Sequence, residues 1–306
     1  MAAIPQKVRT WSMPVGMAAG LLFCRPIGRF DDLTWGILTP AFIAIMLFFT
    51  FCRVNVRDIR LSMMHVWLLL FQAVCSVAIY YLFVHWDVVI AQGAMICVLA
   101  PVAMAAVVIG GMLGANLETM AAYSLLCNLF IAVFAPFVLH AFGNGECTMM
   151  QILQKVAPML IAPFVAGQMC RLWLPRVSGW VSDNSHLSFY VWLASLTVIV
   201  GRTTCFLIDH HEADRMIEIL LGLLALVICV VQFVVGRQIG RRYGDTVAGG
   251  QSLGQKNTVL AVWMAQSFLD PISSVAPTAY IVWQNLVNSY QLYRKGKSEA
   301  DKTAKM

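Results

Sequence analysis

The chain has 306 residues, of which 60% are apolar and only 12% charged, with a net charge of +6 and a mean hydropathy of +0.75. Soluble domains carry about 25% charged residues, so this composition excludes a chain of water-soluble domains and points to an all-α polytopic membrane protein. The basic residues fall in short clusters between apolar runs rather than in a stripe with interleaved aromatics, which excludes nucleic acid as a partner.

The chain opens MAAIPQKVRTWSMPVGMAAGLLFC, positive residues and then an apolar stretch. No small-x-small cleavage site follows, and many more apolar runs do, so this segment reads as a retained first span. Later runs recur at a spacing suited to helices of about 20 residues. Their approximate bounds are 10–24, 34–52, 62–84, 88–114, 119–141, 151–174, 186–208, 216–236, 246–268 and 271–293. The expected architecture is therefore about ten transmembrane helices.

Basic residues sort to one side. The segments expected inside hold Lys7, Arg9, Arg53, Arg57, Arg60, Arg171, Arg176, Arg237, Arg241, Arg242, Arg294, Lys295, Lys297, Lys302 and Lys305. Those expected outside hold only Arg25, Arg29, Lys155, Arg202 and Arg215. The positive-inside rule then puts both termini in the cytoplasm of a multi-pass protein of the plasma membrane, in a bacterium the inner membrane.

The fourth and ninth runs are interrupted, one by Leu99-Ala100-Pro101 and the other by the stretch from Gly249 to Asn257. Each is the fourth of five. An odd number of spans per half places the halves in opposite orientations, so residues 1–145 and 146–294 read as two inverted five-helix repeats, followed by a cytoplasmic tail, 295–306. Matched broken helices at membrane depth are the mark of secondary transporters, because their freed backbone groups and half-helix dipoles form sites for ions or substrate.

Carboxylates are absent from the expected mid-bilayer: all fifteen acids fall in loops, at span ends or in the tail. Lys256 is the exception among charges, lying in the second break. Two readings stand. Its ammonium snorkels or rests on backbone carbonyls of the broken helix, or it takes a place where a transported cation could bind or pairs with an anionic substrate. Gln72, Ser124, Asn128, Gln251, Ser252, Gln255, Asn257, Gln284, Asn285 and Asn288 are the other polar residues at depth, each either inter-helix glue or ligand. The run Asp209-His210-His211-Glu212-x-Asp214 reads as a solvated outer loop, so no metal is expected. The cysteines read as packing residues, with Cys147 and Cys205 near enough to the outer face to pair. There is no Walker loop, G-x-S-x-G or H-E-x-x-H, and an enzyme is not expected.

Four strings in order, IMLFFTFCRVNVRDIRL, CVLAPVAMAAVV, SLGQKNTVLAVWMAQSF and APTAYIVWQNLVNS, resemble segments of the bile acid:sodium symporter family, part of the bile/arsenite/riboflavin transporter superfamily. The second matches the place of that family's P-G-G-T-A-S-N crossover, the third its E-V-G-M-Q-N, and the fourth its P-A-A-x-x-x-x-W-H-N. The resemblance implies broken helices 4 and 9 that cross, a panel domain of spans 1, 2, 6 and 7, and a core domain of the rest. It implies an organic-anion substrate, bile-acid-like or another carboxylate, bound near Met104, Lys256, Asn257, Gln284 and Asn285. The positions equivalent to its sodium sites are Gln72, Ala106, Val107, Ser124, Asn128, Ser252, Leu253, Gln255 and Lys256. Ser252 stands where the family has its sodium-binding Glu, Lys256 where it has a ligating Gln, and Ala106-Val107 where it has Ser-Asn. These sites are degenerate, and sodium coupling of the usual form is not expected. Transport is expected to be facilitated, by exchange, or proton-linked through Lys256. The expected state is a monomer, with no cofactor and with the lipid bilayer and a small organic anion as its partners.

Overall fold

A chain this apolar must satisfy its backbone N–H and C=O groups internally, and the helix does so within one segment. The computed structural model describes residues 15–34, 37–53, 61–103, 105–145, 148–209 and 215–303. Among the described residues every regular element is helical: α1 (15–22), α2 (Cys24–Leu33), α3 (Leu38–Arg53), α4 (Met63–Phe83), α5 (Val88–Leu99), α6 (Ala105–Leu113), α7 (Leu117–Phe142), α8 (Met149–Trp173), α9 (Pro175–Asp183), α10 (Ser185–Asp209), α11 (Arg215–Arg242), α12 (Thr246–Gly254), α13 (Thr258–Phe268), a 3-10 turn (Pro271–Ser274) and α14 (Val275–Thr303). Four of them, α4, α7, α8 and α11, are long and apolar enough to cross a membrane, with α11 reaching a mean hydropathy of 2.9. This is a helical membrane protein.

Aspartates begin three of these elements, where the helix dipole favours negative charge. Asp87 accepts from Ile90 N at the start of α5, and Asp270 accepts from Ile272 N at the start of the 3-10 turn. Asp245 serves two helices: Oδ1 accepts from Ala248 N in the first turn of α12, and Oδ2 accepts from Asn116 N at the cap of α7. Both interrupted segments thus start from an aspartate cap. Gln92, buried on α5, joins distant ends by donating to Phe142 O and accepting from Asp270 N.

The two interruptions are short and lie against each other. The first separates α5 from α6 at Ala100–Met104, and Met104 itself lies outside the described residues. The second separates α12 from α13 at Gln255–Asn257. Val102 and Lys256 form an isolated antiparallel bridge. Ala103 N donates to Gln255 O at 2.9 Å, and Asn257 N donates to Pro101 O at 2.7 Å. Each break therefore supplies the hydrogen-bond partners that the other lost.

The second break is narrower than the run of glycines suggests. Gly249 and Gly250 are helical, inside α12. They are small because α12 lies directly on α11: a Cβ on Gly249 would stand 2.3 Å from Gly236 O and 2.7 Å from the Gly240 Cα. Gly236 and Gly240 sit one turn apart, so a small-residue face on α11 receives the small-residue face of α12, as in other close membrane helix pairs.

Candidate functional site

The site is built around the C-terminal end of α5. A helix leaves its last four carbonyls without intrahelical partners and carries partial negative charge there. In α5 each is taken. Ile96 O accepts from Ala100 N at 3.0 Å. Cys97 O accepts from Gln232 Nε2 of α11 at 3.2 Å. Val98 O accepts from the Lys256 ammonium at 3.0 Å, and Leu99 O from Gln72 Nε2 of α4 at 2.8 Å. The same Gln72 nitrogen also reaches Ala100 O at 2.9 Å. Three side chains from three separate segments thus converge on one half-helix pole.

Lys256 is 1% exposed. Its stem and head lie wholly inside the protein, and the titratable groups that act on it electrostatically are Cys127 and Cys97. Burying an ammonium costs several kcal/mol after relaxation. A charge-assisted hydrogen bond returns about 1.5–3 kcal/mol, and the dipole of a helix C-terminus up to about 2 kcal/mol. The placement is close to break-even, so the helix pole is what makes it tenable. The ammonium rests on one backbone carbonyl, that of Val98, which belongs to the facing interrupted segment rather than to its own. A second lysine repeats the arrangement at the end of the other half-helix, where Lys295 Nζ donates to Met112 O at 3.0 Å.

The remaining side chains around the crossing form two groups. Gln284 Oε1 accepts from Lys256 N at 2.9 Å. Asn257 caps α13, its Oδ1 accepting from Leu260 N. Gln255 Oε1 accepts from Asn288 Nδ2, whose Oδ1 accepts from Gln251 Nε2. On the opposite side Gln72 Oε1 accepts from the Tyr123 hydroxyl at 3.2 Å and the Cys127 thiol at 3.5 Å. Gln232 also donates to the Tyr280 hydroxyl, which donates to Gly254 O at the end of α12. Lys256, Asn257, Gln284, Gln255 and Gln72 are thus brought to the crossing by hydrogen bonds.

Other expected site residues are placed differently. Asn285 is half-buried and donates to Ile281 O one turn back on its own helix. Ala106 and Leu253 are fully buried apolar core, and Val107 packs on the same core. Ser124, Asn128 and Ser252 are buried on α7 and α12, which are in contact. Asn128 Nδ2 donates to Ser124 O, while Ser124 Oγ, Asn128 Oδ1 and Ser252 Oγ meet no partner among the described residues. Met104, Cys147 and the histidines of the 209–214 run lie outside the described residues; Cys205 is half-buried near the end of α10.

Sequence reasoning missed Gln232, Gln92, Tyr123 and Tyr280. Gln232 and Gln92 carried a usable signal, an amide alone within an apolar run. The tyrosines did not, since a phenol suits apolar surroundings until its hydroxyl partner is known. No known family profile matches the chain, and no curated protein matches it significantly.

Proposed function

We propose that this protein is a secondary transporter of a small or amphipathic organic anion, a bile-acid-like molecule or another carboxylate, working by alternating access. The observation that carries the reading is the pairing of two interrupted apolar segments through their breaks, Val102 against Lys256. Helix breaks at membrane depth require protein partners, and matched breaks that supply each other are the arrangement used by carriers with discontinuous helices. On this reading the chain forms ten spans in two inverted repeats, with both termini cytoplasmic, and α4–α7 and α11–α14 make up the core that moves against the rest.

Coupling to sodium in the usual form is not part of the proposal. The side chains hydrogen-bonded at the crossing are amides, two tyrosine hydroxyls, a thiol and one ammonium, and the acids nearest to it in sequence, Asp87, Asp245 and Asp270, cap helix starts. A hard cation prefers carboxylate or several free carbonyls, and the α5 carbonyls already hold donors. The same completeness motivates a second reading, a transporter-like membrane receptor or sensor without flux: a crossing with its backbone satisfied internally can be rigid.

Uptake into proteoliposomes separates these. With the purified protein and a labelled panel of amphipathic carboxylates and sulfonates, saturable uptake is expected above that of protein-free vesicles. It is expected to be equal in sodium and choline media. Binding without uptake favours the sensor; uptake that requires sodium contradicts the coupling.

A further inference from the structure

Among the described residues Lys256 is the one side chain at the crossing that brings charge, and the hydrogen-bond acceptor of its head is a backbone carbonyl. Nζ lies 3.0 Å from Val98 O, and the carbonyls on either side of Val98 are occupied by neutral amides, Gln232 on Cys97 O and Gln72 on Leu99 O. The pole of α5 thus presents one acceptor to a cation and hands the others to neutral donors. The division follows from geometry: Lys256 comes from the break facing the pole, whereas the glutamines come from flanking helices.

We infer that the C-terminal pole of α5 is a binding site for a monovalent cation of the primary-ammonium class, which the chain fills with its own Lys256 side chain. Residues 255–257 run antiparallel to residues 101–103, so the lysine backbone is held against the first break independently of its side chain. Gln284 Oε1 fixes the Lys256 N–H, and Asn257 N is fixed by Pro101 O. Shortening the side chain therefore leaves the site assembled, with Val98 O unpaired at the negative end of a half-helix and a void shaped by three methylenes and an ammonium. In the proposed transporter, a tethered cation would hold the two breaks together in every conformation, which makes a diffusible coupling cation unnecessary. That consequence rests on the transport reading; the site itself does not.

The test is chemical rescue of Lys256→Ala, in which n-propylammonium replaces exactly the atoms removed. Thermal unfolding of the full-length protein in detergent is followed with n-propylammonium, with n-propanol as the neutral isostere, and with tetramethylammonium, which has no N–H to donate. Propylammonium is expected to recover at least half of the lost Tm in Lys256→Ala, and to leave the wild type and Lys256→Met unchanged, since there the space is filled. Propanol and tetramethylammonium are expected to recover little. If the variant cannot be purified without additive, its yield from membranes solubilised in each additive is the same comparison. Equal rescue by propanol shows that the pole wants only a donor and overturns the inference, as does absence of rescue by propylammonium. Unfolding is read without flux, so this result and the uptake result can fail separately.

Discussion

Gln72→Leu is expected to lower unfolding free energy by about 2–4 kcal/mol, since interhelical hydrogen bonds in membrane proteins average about 0.6 kcal/mol and reach about 1.7 kcal/mol, and this one side chain makes four. Its amide nitrogen holds Leu99 O and Ala100 O, and its oxygen receives the Tyr123 hydroxyl and the Cys127 thiol. Gln72 is fully buried. Leucine has nearly the same volume, so the loss comes from the partners left behind, and an orphaned buried group costs more than a bond contributes. Because the orphaned carbonyls end α5, the damage falls on the crossing. A denaturation midpoint measured in mixed detergent micelles checks this. Asn285→Leu is the control: among the described residues its amide donates to its own helix, and its expected effect is about 0.5 kcal/mol or less. If the two variants unfold alike, α5 is not held by Gln72.

Gly249→Ala adds a single methyl group and is expected to cost about 1–3 kcal/mol, the usual range for overpacking, and to abolish uptake. The new Cβ would overlap Gly236 O and the Gly240 Cα. Those atoms are backbone, which cannot rotate aside, so α12 must move off α11. Gly250 to Lys256 follow directly on Gly249, and the shift is passed to the break. Gly179→Ala on α9 is the matching control, since nothing lies within 4 Å of a Cβ there; helix propensity alone favours alanine by about 1 kcal/mol. A thermal melt of both variants, with uptake measured alongside, distinguishes a packing defect from a general intolerance of glycine substitution.

Much of the helical layout could be read from hydropathy because the bilayer leaves the backbone few choices. The runs near 62–84, 119–141 and 151–174 appear as α4, α7 and α8 with ends shifted by a residue or two. Pro101 located the first break through a local rule, its missing N–H. The second break was harder to place. Gly249 and Gly250 have low helix propensity, yet they are helical because contact with α11 outweighs it. The break falls instead at Gln255–Asn257, where the backbone is paired with the other break. That pairing joins residues far apart in the chain and leaves no local trace.

The same distinction applies to the site. Lys256 stood out as a charge within an apolar region, which is a statement about one residue. Its acceptor could not be read, because Val98 contributes a backbone carbonyl and any residue there would offer the same atom. Gln72 and Gln284 were singled out as polar residues at depth, but their specific partners, the pole of α5 and the Lys256 N–H, depend on how helices pack. Ser124, Asn128 and Ser252 were singled out in the same way, and the family resemblance grouped them as ion-site positions. The structure buries all three without joining Ser252 to the other two by a hydrogen bond.

The central claim is that this crossing belongs to a carrier that exposes one anion site to each side of the membrane in turn. Counterflow tests it most directly. Proteoliposomes are preloaded with an unlabelled amphipathic carboxylate that the protein takes up, and entry of the labelled compound is followed with no ion gradient. The account predicts that preloading accelerates labelled entry and drives a transient accumulation above equilibrium. Entry at the same rate in loaded and empty vesicles, or binding with no entry, would contradict it.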